Sequence, residues 1–419
     1  MRGHEESFVV LGACINENYT NYNLRQRTKI DRYFKIINSL TARLLSPVIK
    51  FHILRLTGGI RLNYYCSVTP TEHATDMVNY FQHQLTAAIK SVLNFDIDDA
   101  MLFFRETLGL PNLVKYHKML YEDSQEFALK NETAYHFNTR NTTIRDAKSL
   151  NDCLVDSVSE NACSALDAAT TSYLQAQHHS TDWLFYLSAS IFLSLDDSEF
   201  HTALAIRCRA LPRVFSLNGM ATYCDCGQKF TKDGDFIEHI FSCQHATNFP
   251  TATRHNQLRD LIAKIARGFG ITDSIEPRGF TGYKDAERRP DIAFNTIPPI
   301  AIDICICQQD PKSETGSTAK RNFARKMATH HDVMEKHKIK FFPVVCEILG
   351  FKHQKVGEFI EQLSLGVEPH FRHEIKFQLQ YGIAVSLAQA RVRMLRSARG
   401  KYLDWSAAKH SGEVMPEET

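Results

Sequence analysis

Ile300-Ala301-Ile302-Asp303-Ile304-Cys305-Ile306 sets an isoleucine at every second position. Successive side chains of a strand point to opposite faces, so the stretch predicts a β-strand with one wholly apolar face. The other face carries Ala301, Asp303 and Cys305. An aspartate buried among isoleucines is costly unless its charge is compensated. A divalent cation held by carboxylate oxygens would compensate it. Upstream, Arg289-Pro290-Asp291 opens another short β run. The 11 residues between Asp291 and Asp303 leave room for a turn and a return strand. Two carboxylates on adjacent strands, with a lysine nearby, can hold Mg²⁺ against a phosphodiester. The metal lowers the pKa of a bound water, and the lysine orients that water and screens the phosphate. In the usual form of such a site the lysine lies two residues after the second acid, where this chain has Cys305. The cation must then come from the next helix, from Lys320 or Lys326.

Working outward, residues 254–267 form an amphipathic helix with Leu258, Leu261, Ile262 and Ile265 on one face, ended by Gly268 and Gly270. Short β signals follow near Ile275, at 290–294 and at 300–306. A helix is expected over 318–337, a strand over 339–348 and a helix near 357–365. The order over this region is α-β-β-β-α-β. The segment 372–409 is helical in pattern and basic, with Arg391, Arg393, Arg396, Arg399 and Lys401. Before residue 212 the chain is mainly helical: 31–56, 71–93, 113–129 and 153–193, with a polar, threonine-rich loop over 131–151. A short strand at 8–12 ends on Gly12.

Between these halves the cysteines and histidines cluster. Cys224-Asp225-Cys226 is followed by His239 and Cys243. Zinc takes four soft or borderline ligands in a tetrahedron. The first pair sits in a tight turn eased by Gly227. His239 and Cys243, four residues apart, share one helical face. His245 is a reserve ligand. With all four positions filled by protein, the zinc would be structural.

At 419 residues the chain has room for roughly two or three domains. It is 43% hydrophobic and 23% charged, which is ordinary for a globular protein. A net charge of +2 makes no overall demand for a polyanionic partner, so any nucleic-acid contact must be local. The 11 cysteines are odd in number and irregularly spaced, which predicts free thiols in a reducing compartment. Asn18-Tyr19-Thr20 fits a glycosylation triplet, a pattern common by chance. The N-terminus lacks the apolar run of a signal peptide, and no apolar stretch is long enough to span a bilayer. The expectation is a soluble, intracellular protein with no membrane partner and no small-molecule substrate.

The order of these parts resembles the C-terminal region of site-specific non-LTR retrotransposon reverse transcriptases of the restriction-like-endonuclease type. The CCHC cluster is followed by Arg254-His255-Asn256, by Arg289-Pro290-Asp291, by Asp303 on its strand, by a lysine-bearing helix, and by the strand FFPVVCEILG at 341–350. Upstream, FVVLG at 8–12 resembles a primer-grip strand, the stretch 44–65 resembles thumb helices, and RCRALP at 207–212 resembles the arginine-rich step before the knuckle. The resemblance implies an α+β multidomain chain. Residues 1–215 would be a helical thumb and linker region and 216–250 a CCHC zinc knuckle. Residues 251–370 would be a PD-(D/E)XK-like restriction endonuclease core, and 371–419 a basic helical tail. It implies Asp291 and Asp303 as Mg²⁺ ligands, Lys326 as the catalytic lysine with Lys320 as the alternative, and structural zinc on Cys224, Cys226, His239 and Cys243. Arg254, His255, Arg289, Arg391, Arg393, Arg396 and Arg399 would contact nucleic acid. The implied activity is Mg²⁺-dependent nicking of target DNA in the nucleus to prime reverse transcription of the element RNA. The YxDD polymerase signature is absent: Asp98-Asp99 and Asp196-Asp197 stand in other contexts. No polymerase activity is therefore expected, and the palm would come from outside this sequence. Four residues after Lys326, where the family often has tyrosine, stands His330. The alternative expectation is a nucleic-acid-binding fragment without catalysis, or a decayed relic of such an element.

Overall fold

Ser46-Pro47 divides the helical pattern of 31–56 in two. The Ser46 hydroxyl accepts the Ile49 amide hydrogen, and Pro47 enters at the first turn, where its missing N–H costs nothing. Helix α1 therefore covers Tyr19–Thr41 and α2 covers Pro47–Val68, in place of one continuous element. Helix α3, Thr71–Val92, falls where the periodicity puts it. In the computed structural model of the chain the described residues are 9–10, 13–14, 19–41, most of 46–125, 170, 173–174 and 182–185. They continue over 194–411 apart from 214, 218–221, 244, 247–248, 279–288 and 309–314. The expected loop over 131–151 lies outside the described residues, as does most of the expected helical stretch 153–193.

The chain is α+β and divides into two compact units, Met1–Thr171 and Ser172–Thr419. In the first unit, β1 (Val9–Val10) pairs antiparallel with β2 (Ala13–Cys14), and α3 packs on α1 and α2. Phe34 meets Phe81 at 5.4 Å between ring centroids, over a core that includes Tyr22, Phe51, Val78 and Leu85.

The second unit holds the expected knuckle, the αβ region and the C-terminal helix together. Its described elements begin with α4 (Asp182–Phe185) and α5 (Asp197–Arg207), the latter opened by a capping box between Asp196 and Glu199. A hairpin, β3 (Thr222–Tyr223) and β4 (Lys229–Phe230), leads into α6 (Asp233–Ser242). Then follow α7 (Thr251–Gly268), β5 (Asp273–Ile275), β6 (Ile292–Phe294), β7 (Ile300–Cys307), α8 (Ser317–Lys336), β8 (Lys340–Glu347) and α9 (Lys355–Leu365). This is the α-β-β-β-α-β order expected, with α9 after it.

The strands form one four-stranded mixed sheet in sequence order, antiparallel through β5, β6 and β7 and parallel between β7 and β8. The parallel step needs a crossover, which α8 supplies. Alternation along β7 sorts the layers. On the Ala301 face, Val333 and Met334 of α8 close a small core with Ala293, Ile339 and Phe341. On the isoleucine face, Phe359 of α9 packs against Phe294 and Phe342, at 6.1 and 6.3 Å between centroids.

After a short 3₁₀ turn at Pro369–Phe371, α10 runs over Arg372–Ser411. The expectation of a separate basic tail is corrected here. Helix α10 packs against α4, α5, α6, α7 and α9, and Leu387, Val392, Met394 and Leu395 are buried. It is an internal strut of the second unit. Among the described residues, no helix is long and apolar enough to cross a membrane.

Candidate zinc centre and acidic site

The Cys-His cluster is built by a tight turn and a helix end. The Cys224 amide donates to the Gln228 carbonyl and the Gly227 amide to the Cys224 carbonyl. Gly227 adopts φ +89°, a left-handed conformation that favours glycine. The turn so fixed presents Cys224 and Cys226. Helix α6 presents His239, and Cys243 caps that helix with its amide on the His239 carbonyl, one turn further on. Cys226 Sγ lies 3.4 Å from His239 Nε2, and Cys224 Sγ lies 3.8 Å from Cys243 Sγ. All four ligand atoms fall within 4.8 Å of one another. Ligands about 2.0–2.3 Å from a tetrahedral zinc stand roughly 3.3–3.8 Å apart, so the four thiol and imidazole atoms fit that ion. Burial lowers the His239 pKa and favours the neutral imidazole that ligates metal. Phe230 packs on the His239 ring at 4.7 Å. His245 stands outside the cluster.

The acidic site draws on α7, β6, β7 and α8. Asp291 stands immediately before β6, its amide on the Ile302 carbonyl at 2.9 Å. Its Oδ2 accepts the Ile304 amide hydrogen, and its Oδ1 lies 3.0 Å from His255 Nε2 on α7. Asp303, mid-strand in β7 and 4% exposed, neighbours the Asp291 carboxyl. From α8, Lys326 Nζ reaches within 2.7 Å of Asp303 Oδ2 and His330 Nε2 within 2.8 Å of the same oxygen. Asp303 Oδ2 is thus buried with an ammonium and an imidazole nitrogen both within hydrogen-bonding distance.

The two acids titrate as a pair. Burial raises Asp291, the His255 hydrogen bond opposes that rise, and the neighbouring Asp303 charge adds to it. Burial alone would raise Asp303 too, but His330 and Lys326 outweigh it and hold this carboxyl below the usual range. The two acids thus shift in opposite directions, Asp291 up and Asp303 down. Two carboxyl groups side by side are oxygen donors of the class Mg²⁺ takes. His255 in turn is raised by its hydrogen bond to Asp291.

The structure separates the two candidate lysines. Lys326 is on the acids. Lys320, at the exposed start of α8, lies near His353 instead. Cys305, on the Asp303 face, is half-buried; a hydrogen bond from Cys307, with Lys326 and Arg325 nearby, brings its thiol down to about 7 against the effect of burial.

Of the residues expected on nucleic acid, several have other employment. Arg254 is buried, its Nη1 3.3 Å from Met394 Sδ on α10. His255 belongs to the acidic site. Arg289 Nη2 donates to Glu276 at 2.7 Å. Arg391 is 1% exposed and its Nη1 donates to the Ile348 and Leu349 carbonyls at 3.3 and 2.8 Å. Phosphate contacts by Arg254 and Arg391 are therefore corrected to internal roles, because neither guanidinium faces solvent. Arg393 is half-buried, and Arg396 is exposed with Nη2 on Ser198 Oγ at 2.8 Å. The Arg399 side chain lies outside the described residues.

One functional residue had no role in the sequence reading. Glu347 ends β8 and is 1% exposed, yet its carboxylate accepts the Gly316 and Ala319 amides at 3.3 and 3.1 Å. It satisfies the open N–H groups of α8 and places the helix that carries Lys326. A lone acid inside FFPVVCEILG was the available signal, since a buried carboxylate requires a partner.

No protein-family model and no curated protein matches the chain.

Proposed function

We propose that the αβ part of the second unit is a Mg²⁺-dependent DNA endonuclease of the restriction-like kind, within the C-terminal region of a non-LTR retrotransposon reverse transcriptase. The observation that carries the activity is the convergence of Asp291, Asp303 and Lys326 from three separate elements on one buried oxygen site. Asp291 and Asp303 would hold the Mg²⁺. When bound, that ion supplies an activated water at neutral pH and neutralises charge on the phosphodiester.

The chain's own residues do the rest. Asp303 is kept ionised by His330 and Lys326, and Asp291 is held in place by His255 and the Ile304 amide. The Lys326 ammonium stands at Asp303 on a side chain that is 23% exposed, so it can reach a phosphate oxygen from the solvent side. A fixed cation there stabilises developing negative charge. The Cys-His cluster, with zinc, would brace the hairpin and α6 of the same unit.

Supercoiled plasmid with Mg²⁺ tests the reading. The full chain is expected to nick it. Lys326→Ala should lower the rate by about 10²–10³-fold, the scale of losing one electrostatic stabiliser, with zinc content and DNA binding intact. Lys320→Ala should cost far less. Silence of both, together with silent Asp303→Ala, would show that this chain is no nuclease of the proposed kind.

A further inference from the structure

Lys326 and His330 are one helical turn apart on α8 and reach the same oxygen of Asp303, but their surroundings differ. The Lys326 side chain is 23% exposed and ends a flexible stem. The His330 side chain is 5% exposed, its ring lies 5.0 Å from the Phe341 ring, and its helix is seated by Val333 and Met334 in the small core under Ala301. A lysine that serves the substrate must be able to leave the carboxylate. Something else must then keep Asp303 in its rotamer, because a buried acid that swings loses both its charge compensation and its aim. A ring packed on one side would lose little freedom by donating on the other.

We propose that His330 is a positioning residue: it donates from Nε2 to Asp303 and fixes that carboxylate, which leaves Lys326 free to move to the phosphodiester. The proposal rests on the nuclease reading for its catalytic consequence, but its structural core concerns one donor and one acceptor. It also assigns the tautomer, with the proton on Nε2. His255 lies 3.0 Å from Asp291 Oδ1, so each acid has an imidazole beside it.

Two substitutions separate positioning from packing. His330→Gln keeps a donor near the Nε2 position, and His330→Leu keeps apolar volume without one. With the zinc-loaded full chain, His330→Leu should weaken Mn²⁺ binding, followed by electron paramagnetic resonance, and lower the nicking rate, each by about 10–100-fold, as loss of a group that orients a metal ligand does. His330→Gln should recover both to within a few-fold. DNA binding in the absence of divalent metal should not change. Equal loss in the two variants would make the role one of packing, and an unchanged His330→Leu would leave no role at all.

A second measurement does not depend on activity. In nitrogen-15 spectra of the metal-free protein, a slowly exchanging Nε2 proton is expected on His330 and should be lost in Asp303→Asn. Its absence in the parent chain would overturn the proposal even if the chain nicks DNA. Its presence, in a chain that neither binds Mn²⁺ nor nicks, would uphold the positioning contact and remove the nuclease reading.

Discussion

Arg391→Leu isolates the difference between a surface arginine and an internal one. The guanidinium is 1% exposed, and burial pushes its pKa down to about 10. Nη1 donates to two successive carbonyls, Ile348 and Leu349, directly after β8. Hydrogen bonds from a charged group contribute about 1.5–3 kcal/mol each, offset in part by the cost of taking the charge out of water. Leucine removes that cost and fills much of the volume. It also leaves two buried carbonyl oxygens short of a donor, at about 1–3 kcal/mol each. The net expectation is a loss of about 2–4 kcal/mol in the stability of the second unit. Urea unfolding followed by circular dichroism, with amide exchange along 340–350, would register it. Salt-dependent nucleic-acid binding should keep its slope, whereas neutralising a phosphate-contacting arginine lowers the slope by about one. Exposed Arg396→Ala is the control for stability and should move it by less than about 0.5 kcal/mol. A flattened salt slope at unchanged stability in Arg391→Leu would refute the assignment of this residue to the interior.

Three further outcomes follow from the same reasoning. His52 is 1% exposed, and burial, with Arg55 adding to it, pushes its imidazole from 6.5 down to about 4. The unfolded chain takes up a proton below pH 6.5 that the folded chain refuses until about pH 4, so the contribution is whole above pH 6.5 and declines as the pH falls through that window, by about 3 kcal/mol in all. His52→Gln should flatten that part of the pH–stability curve of the first unit; an unchanged slope would place the effect elsewhere. The purified chain should carry about one zinc per molecule, lost in Cys243→Ser and on chelation, with faster proteolysis over 222–243 as the structural readout. Gly316 has φ +85°, and a Cβ there would meet the Phe351 ring at 2.6 Å, so Gly316→Ala should destabilise by more than about 1–2 kcal/mol and slow nicking through the displaced start of α8.

The element order around the acids could be read from the chain because helix and strand periods are local properties. The isoleucines of 300–306 announced β7, and the spacing of Leu258, Ile262 and Ile265 announced α7. The four zinc-type ligands were legible for a similar reason: a turn cysteine pair and two residues four apart on a helix end need only one further fold to meet. Lys320 and Lys326 were both candidates in the sequence, and family position favoured Lys326. The first unit was read as a longer continuous helix than it is, since periodicity carries across Ser46-Pro47 while the cap and the proline stop it.

What periodicity could not supply was the identity of each side chain's neighbours. Helix α10 carries its arginines in what looked like a solvated run, and nothing local to 372–409 says that α4, α5, α6, α7 and α9 surround it. Arg391 is internal because the Ile348 and Leu349 carbonyls, more than 40 residues away, happen to lie beside it. Glu347 caps α8, His255 meets Asp291 and His330 meets Asp303 through contacts of the same long range. A charge's role is set by the dielectric and the partners around it, and those belong to the packed layers. The sequence by itself determined the strands, the helices and the ligand types; tertiary structure alone decided which charges were buried and what each one faced.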